Sequence, residues 1–177
     1  MPFTRKYYIA DTHFGNASII SNCRRPFVNT ELMTEYMVSR WNEVASDNDL
    51  VYHLGDFALG LQDAARVMSI FNRLRGRKIL ITGNHDLRRG ELHPTLAALA
   101  WDRPPVAALE TTDGGNRVYL SHYAHRSWPA AHYGSYHFYG HSHGNLQSCG
   151  RSRDVGVDLL DVDFTPRSFH ELTKDMA

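Results

Sequence analysis

KILITGNHD, residues 78–86, carries an apolar strand straight into an amide, an imidazole and a carboxylate. KILIT is branched and apolar as a strand is, and Gly83 allows a sharp exit from it. Asn84, His85 and Asp86 then follow, where a strand interior has no use for them. The same pattern recurs along the chain. KYYIA (6–10) runs into Asp11 and His13, and LVYHL (50–54) runs into Gly55 and Asp56. RVYLS (117–121) runs into His122, and YHFYG (136–140) runs into His141 and His143. Open α/β sheets bind ligands beyond the carboxyl ends of their strands, so these ends are expected to deliver their polar groups to one edge.

Helical patterns lie between the strands. Residues 31–45 space Leu32, Met33, Tyr36, Met37, Trp41 and Val44 as one helix face, with Asn29 or Thr30 as cap. Residues 61–74 repeat the pattern, with Gly76 as a stop, and a weaker helix covers 92–100. DGGN (113–116) reads as a turn between two extended runs, and VGVDLLDVDF (155–164) reads as a further strand. The order βαβαβ followed by mostly strand predicts an α/β domain with a mixed sheet or two stacked sheets. No repeat or linker interrupts it, so residues 1–177 read as a single domain.

Composition narrows the function. Hydrophobic residues at 42% and charged residues at 21% suit a soluble globular chain with a real core. Formal net charge is zero and no basic stripe is present, which argues against a nucleic-acid polymer or a membrane surface as partner. Cys23 and Cys149 form no disulfide framework, and no apolar leader or membrane span is visible, so the expected location is cytoplasmic.

The polar strand ends suit metals. Asp11, His13, Asp56, Asn84, His122, His141 and His143 are seven side-chain ligands, too many for one tetrahedral ion. They fill two sites if one carboxylate bridges, with His141 and His143 serving different ions. Nitrogen and oxygen donors without thiolate suit Mn, Fe, Zn, Co or Ni, and manganese is the expected activating ion. Two divalent ions beside two aspartates keep a residual positive charge, which attracts an anionic phosphate ester. Two ions roughly 3.5–4 Å apart can hold both the attacking and the leaving oxygen of an in-line displacement.

Taken in order, D-x-H, G-D, G-N-H-D, H and G-H-x-H over residues 11–143 resemble the calcineurin-like metallophosphoesterase superfamily. The resemblance implies a two-sheet αββα sandwich with a dinuclear metal site at the strand ends. It assigns Asp11, His13, His143 and a shared Asp56 to one ion, and Asn84, His122, His141 and the same Asp56 to the other. It leaves His85 off the metals as a catalytic group that binds the phosphoryl oxygen and protonates the leaving group. A hydroxide bridging the ions would attack phosphorus. The short chain looks like the small stand-alone bacterial or phage phosphoesterases, and the gaps between motifs leave no room for a cap domain. Protein phosphatases of the superfamily extend the second motif to G-D-x-x-D-R-G. Here GDFALG puts Leu59 and Gly60 at those places, which counts against a protein phosphatase and removes the usual partner of His85. Asp86 is the nearest carboxylate to replace it.

Substrate contacts are expected from Asn16, close to His13, and from Arg126, on the loop after His122. His53 is expected in the core, His125 is the rival to His122, and Asp158 and Asp161 are expected in turns. Phosphodiester hydrolysis is the first expectation, because few arginines lie near the motifs to balance a dianion. The alternatives are a phosphomonoesterase, a nuclease acting on short oligonucleotides, and a non-catalytic scaffold that kept the fold.

Overall fold

The computed structural model describes residues 4–176. In chain order its first elements are β1 (Lys6–Ile9), α1 (Ala17–Asn22), α2 (Thr30–Val44), β2 (Leu50–His53), α3 (Ala64–Arg73) and β3 (Arg77–Leu80). Then come the short pair β4 (Leu87–Arg88) and β5 (Glu91–Leu92), α4 (Pro94–Ala97), β6 (Ala108–Asp113) and β7 (Asn116–Ser121). The last are β8 (Tyr136–Tyr139), β9 (Ser152–Asp154), β10 (Arg167–Ser168) and α5 (Phe169–Thr173).

Two four-stranded sheets result, in the orders β10-β1-β2-β3 and β6-β7-β8-β9. Alternation along each strand decides what each face meets. Tyr7, Ile9, Val51 and Leu80 join one core with the helices, while Tyr8, Tyr52, Ile79 and Ile81 join a second core with Val118, Leu120 and Phe138 of the other sheet. The first sheet is therefore buried on both faces. Tyr8 and Tyr52, partners in the β1–β2 register, stack at 5.3 Å within that inter-sheet layer.

The helical layer follows from sequence spacing. Met33, Met37, Val38 and Trp41 of α2, and Val67, Ile70 and Phe71 of α3, are buried against the first sheet. Burying one such side chain fully contributes about 1.5–3 kcal/mol. Asn29 caps α2 through Leu32 N, and Asp63 caps α3 through Arg66 N. Both helices are the crossovers between parallel strands β1, β2 and β3.

Three expectations are corrected. The 92–100 stretch is helical only over Pro94–Ala97. Residues 155–164 are turns, not a strand, apart from one bridge between Ala10 and Gly156. Their apolar side chains Val157, Val162 and Phe164 are buried, but Asp163 and Phe164 take positive φ (46° and 54°), which no strand tolerates. The second outer helix layer of an αββα sandwich is replaced by a loop. β7 and β8 run parallel, yet residues 122–135 between them form only a 3₁₀ turn at Ala131–Tyr133. Pro129 and Gly134 interrupt that stretch, and no helical apolar pattern crosses it. Among the described residues no helix is long and apolar enough to cross a membrane.

Candidate metal centre

The exits of β1, β2, β3, β7 and β8 converge. Asp11 and His13 leave β1 with φ of 59° and 48°, Asp56 follows β2 at 58°, and His141 and His143 follow β8 at 66° and 48°. Such backbone costs on the order of 1–3 kcal/mol per residue and persists only where its surroundings enforce it. Hydrogen bonds enforce it here. Asp11 N donates to Gly55 O at 3.0 Å, His13 N donates to Asp56 O at 3.0 Å, and His141 N donates to Asp11 Oδ2 at 2.8 Å.

Two clusters of donors form. Ligand atoms of Asp11, His13 and His143 lie within 4.8 Å of one another, and so do those of Asp56, His122 and His141. Asp56 Oδ2 stands 3.5 Å from both His13 Nε2 and His122 Nε2, between the two clusters. Asn84 Oδ1 is 3.1 Å from His122 Nε2. All seven residues expected as ligands are thus brought together, and His125 is not among them. His85 is exposed, with its ring 5.3 Å from that of His13 and its backbone N donating to Asp56 Oδ1 at 2.9 Å.

The electrostatics fit divalent ions. Asp11 Oδ1 and His13 Nε2 are buried and have no hydrogen-bond partner among the described residues. Burial, then the Asp154 and Asp56 carboxylates, pushes Asp11 well above the usual carboxylate range. Burial, then Arg25, His143 and His85, pulls His13 down to about 2. Burial also lowers His122. Uncharged imidazoles keep a lone pair for a cation, and a cation's charge would relieve the crowding that raises Asp11. Cys23 Sγ also lies within 4.8 Å of donors on His143 and Asp158, but burial first, then Asp158, raises its thiol and disfavours a thiolate ligand.

Residues 7–156 match the calcineurin-like phosphoesterase superfamily domain. The chain belongs to that superfamily. An uncharacterized protein of Methanocaldococcus jannaschii is 42% identical over 86 residues, and the matched stretch spans about half of either chain (49% of each). A protein of unknown function from Aquifex aeolicus superposes with a TM-score of 0.75 at 24% identity, over 97% of this chain and 99% of that one. Yfce, a phosphoesterase from E. coli, superposes with a TM-score of 0.53 at 15% identity, over 86% of this chain and 78% of that one. At these identities the structural likeness is one of fold.

Within this superfamily domain several buried groups escaped the sequence reading. Asp86 does not orient His85. Its buried carboxylate accepts from the backbone N–H of Asp56 (2.9 Å), Phe57 (3.0 Å) and Gly83 (2.8 Å), tying the β2 exit to the β3 exit. Burial raises Asp86 to about 7 against these bonds. Asp158 is no plain turn residue, since His143 Nδ1 lies 2.7 Å from its Oδ2 and Arg25 grips both its oxygens. Burial would raise Asp158, but those hydrogen bonds hold it below the ordinary carboxylate range. Asp161 pairs with Arg153 at 2.9 Å, and His53 is a core histidine bonded to Thr12 Oγ1 at 2.9 Å, as its strand position predicted. Nothing local in the sequence separates Asp158 from any other turn aspartate.

The two residues expected at the substrate are placed elsewhere. Asn16 is buried, and its side chain accepts from Ile19 N at 3.3 Å and Ser18 Oγ at 2.7 Å as the cap of α1. Arg126 lines a cavity of about 820 Å³ with His125, Trp128 and Arg151, apart from the seven donors. A second cavity, of about 680 Å³, opens at two of the donors, Asn84 and His122, with Tyr123 and Arg89 beside them. Tyr123 is half-exposed there, with its ring 4.6 Å from that of His141.

Proposed function

We propose that this chain is a dinuclear metal-dependent phosphoesterase that hydrolyses small phosphodiesters, working in the cytoplasm. The observation that carries the reading is Asp56 Oδ2, equally distant at 3.5 Å from imidazole nitrogens of two separate donor clusters. In this reading Asp11, His13, His143 and Asp56 hold one ion, and Asn84, His122, His141 and Asp56 hold the other. When bound, the two ions supply Lewis-acid polarisation of the phosphoryl group and a water made acidic enough to deprotonate at neutral pH. Manganese is the first choice among Mn, Fe, Zn, Ni and Co for this donor set.

The chain's own residues do the rest. His85 stands exposed at the rim beside His13, free to donate a proton to the departing ester oxygen. The cavity at Asn84, His122 and Tyr123 takes the ester group beyond the phosphate, with the Tyr123 ring as one wall. A diester is favoured over a monoester because Arg25, which reaches the Asp11 carbonyl, is already bound by Asp158 and offers nothing to a second phosphate charge, while Arg89 lines the cavity where the ester group would lie.

The test is metal analysis joined to a substrate pair. Protein reconstituted with Mn²⁺ should hold two equivalents and hydrolyse bis-(p-nitrophenyl) phosphate with a higher kcat/KM than p-nitrophenyl phosphate. Asp56→Asn should lose metal and activity together. One equivalent of metal, full occupancy in the variant, or faster monoester hydrolysis would each count against the corresponding part of the reading.

A further inference from the structure

Arg25 spends all of its donors inside the protein. Nε and Nη2 reach the two oxygens of Asp158 at 2.7 and 2.8 Å. Nη2 also donates to Asp11 O at 2.7 Å, while Nη1 donates to Thr12 O at 3.0 Å and contacts Met33 Sδ at 3.6 Å. Its side chain is 0% exposed, so it meets no solvent and no substrate. Asp158 in turn lies 2.7 Å from Nδ1 of His143. One guanidinium therefore joins the backbone at Asp11 and just ahead of His13 to the carboxylate behind His143, and those three residues are one of the two donor clusters.

We propose that Asp158 is a positioning residue for His143 and that Arg25 is the tie that aligns this one cluster. The inference rests on the metal-binding reading above. An imidazole that donates Nδ1–H to a carboxylate keeps its Nε2 lone pair free and its ring plane fixed, which raises its value as a ligand. Asp158 also neutralises Arg25, whose uncompensated charge would otherwise oppose a cation bound beside it. The second cluster is supported differently. His122 Nδ1 is 2.8 Å from the carbonyl of Leu54, and among the described residues no carboxylate bonds that nitrogen. Disturbing Asp158 should therefore weaken one ion and spare the other.

The experiment is a Mn²⁺ titration of chelator-stripped full-length protein by calorimetry, with an anomalous map at partial loading. Asp158→Ala should weaken one of the two Mn²⁺ sites by about 10–100-fold and leave the other unchanged. The map should assign the loss to the site of Asp11, His13 and His143. Because a lone buried Arg25 endangers folding, Asp158→Ala/Arg25→Met is the companion variant, with no unpaired charge left inside. It should show the same selective loss. Wild-type affinity at both sites in the double variant, or an equal loss at both, would overturn the proposal. A measurement on the unsubstituted chain stands independently of folding: long-range ¹H–¹⁵N spectra of stripped protein should place the His143 proton on Nδ1. A proton on Nε2 with none on Nδ1 would overturn the proposal too. Failure of the wild-type chain to bind Mn²⁺ would instead sink the metal reading, and the His143 tautomer would still judge the pairing with Asp158.

Discussion

His85 and Asp86 are adjacent and are held by different forces. His85 keeps its side chain at the surface, while its backbone N–H fixes the Asp56 carboxylate at 2.9 Å. Asp86 turns inward and satisfies three backbone N–H groups that would otherwise be buried unpaired. The two roles can be separated by substitution. His85→Ala removes a ring but no backbone contact, so both Mn²⁺ ions should stay while kcat falls roughly 10²–10⁴-fold. Leaving groups of low pKa need little protonation, so the loss should shrink along a series of aryl esters. A uniform loss across that series would make His85 a phosphate-binding group rather than a proton donor.

The strand exits are the elements on which the site depends, and Gly55 shows how little room they have. It takes φ +96°, and a Cβ there would collide with the His122 ring and come within 2.7 Å of Gly83 N. Gly55→Ala thus combines left-handed strain with overpacking between the β2 and β3 exits, costing about 3 kcal/mol. Urea unfolding of the metal-free protein should show that loss. Mn²⁺ titration should show a weakened site at His122, because the ring is displaced. Unchanged stability and unchanged binding would mean the two exits are looser than their contacts imply. At this scale the five core strands were legible in the sequence to within a residue or two of their ends, because a short continuous apolar run ending at a polar residue is a local pattern. The 155–164 segment was not, since its valines meet the two cores from turns rather than from a pleat.

Across the whole molecule, burial of uncharged imidazoles couples folding to pH. His53 and His137 are fully buried, and burial lowers each from 6.5 to about 3. His137 is held neutral on the outer face of the second sheet, its two ring nitrogens each 2.9 Å from the hydroxyls of Ser121 and Ser152. At these two histidines the unfolded chain therefore binds more protons than the folded one between pH 6.5 and about 3. Their contribution is complete above the upper value and is lost as pH falls, at about 1.4 kcal/mol per pH unit for each histidine. His137→Gln should flatten the fall of stability with acid in metal-free protein, measured by urea unfolding across that window. An undiminished slope would show that His137 is not held neutral. By itself the sequence determined five of the strands, the α/β class and the candidate donors at their ends, because each candidate closely follows an apolar run that names its own strand. Only the tertiary structure decided which donors share a cluster, that a loop covers the second sheet, and that Arg25 meets Asp158. Those two lie 133 residues apart, and a pairing across that distance leaves no period or spacing in either local stretch.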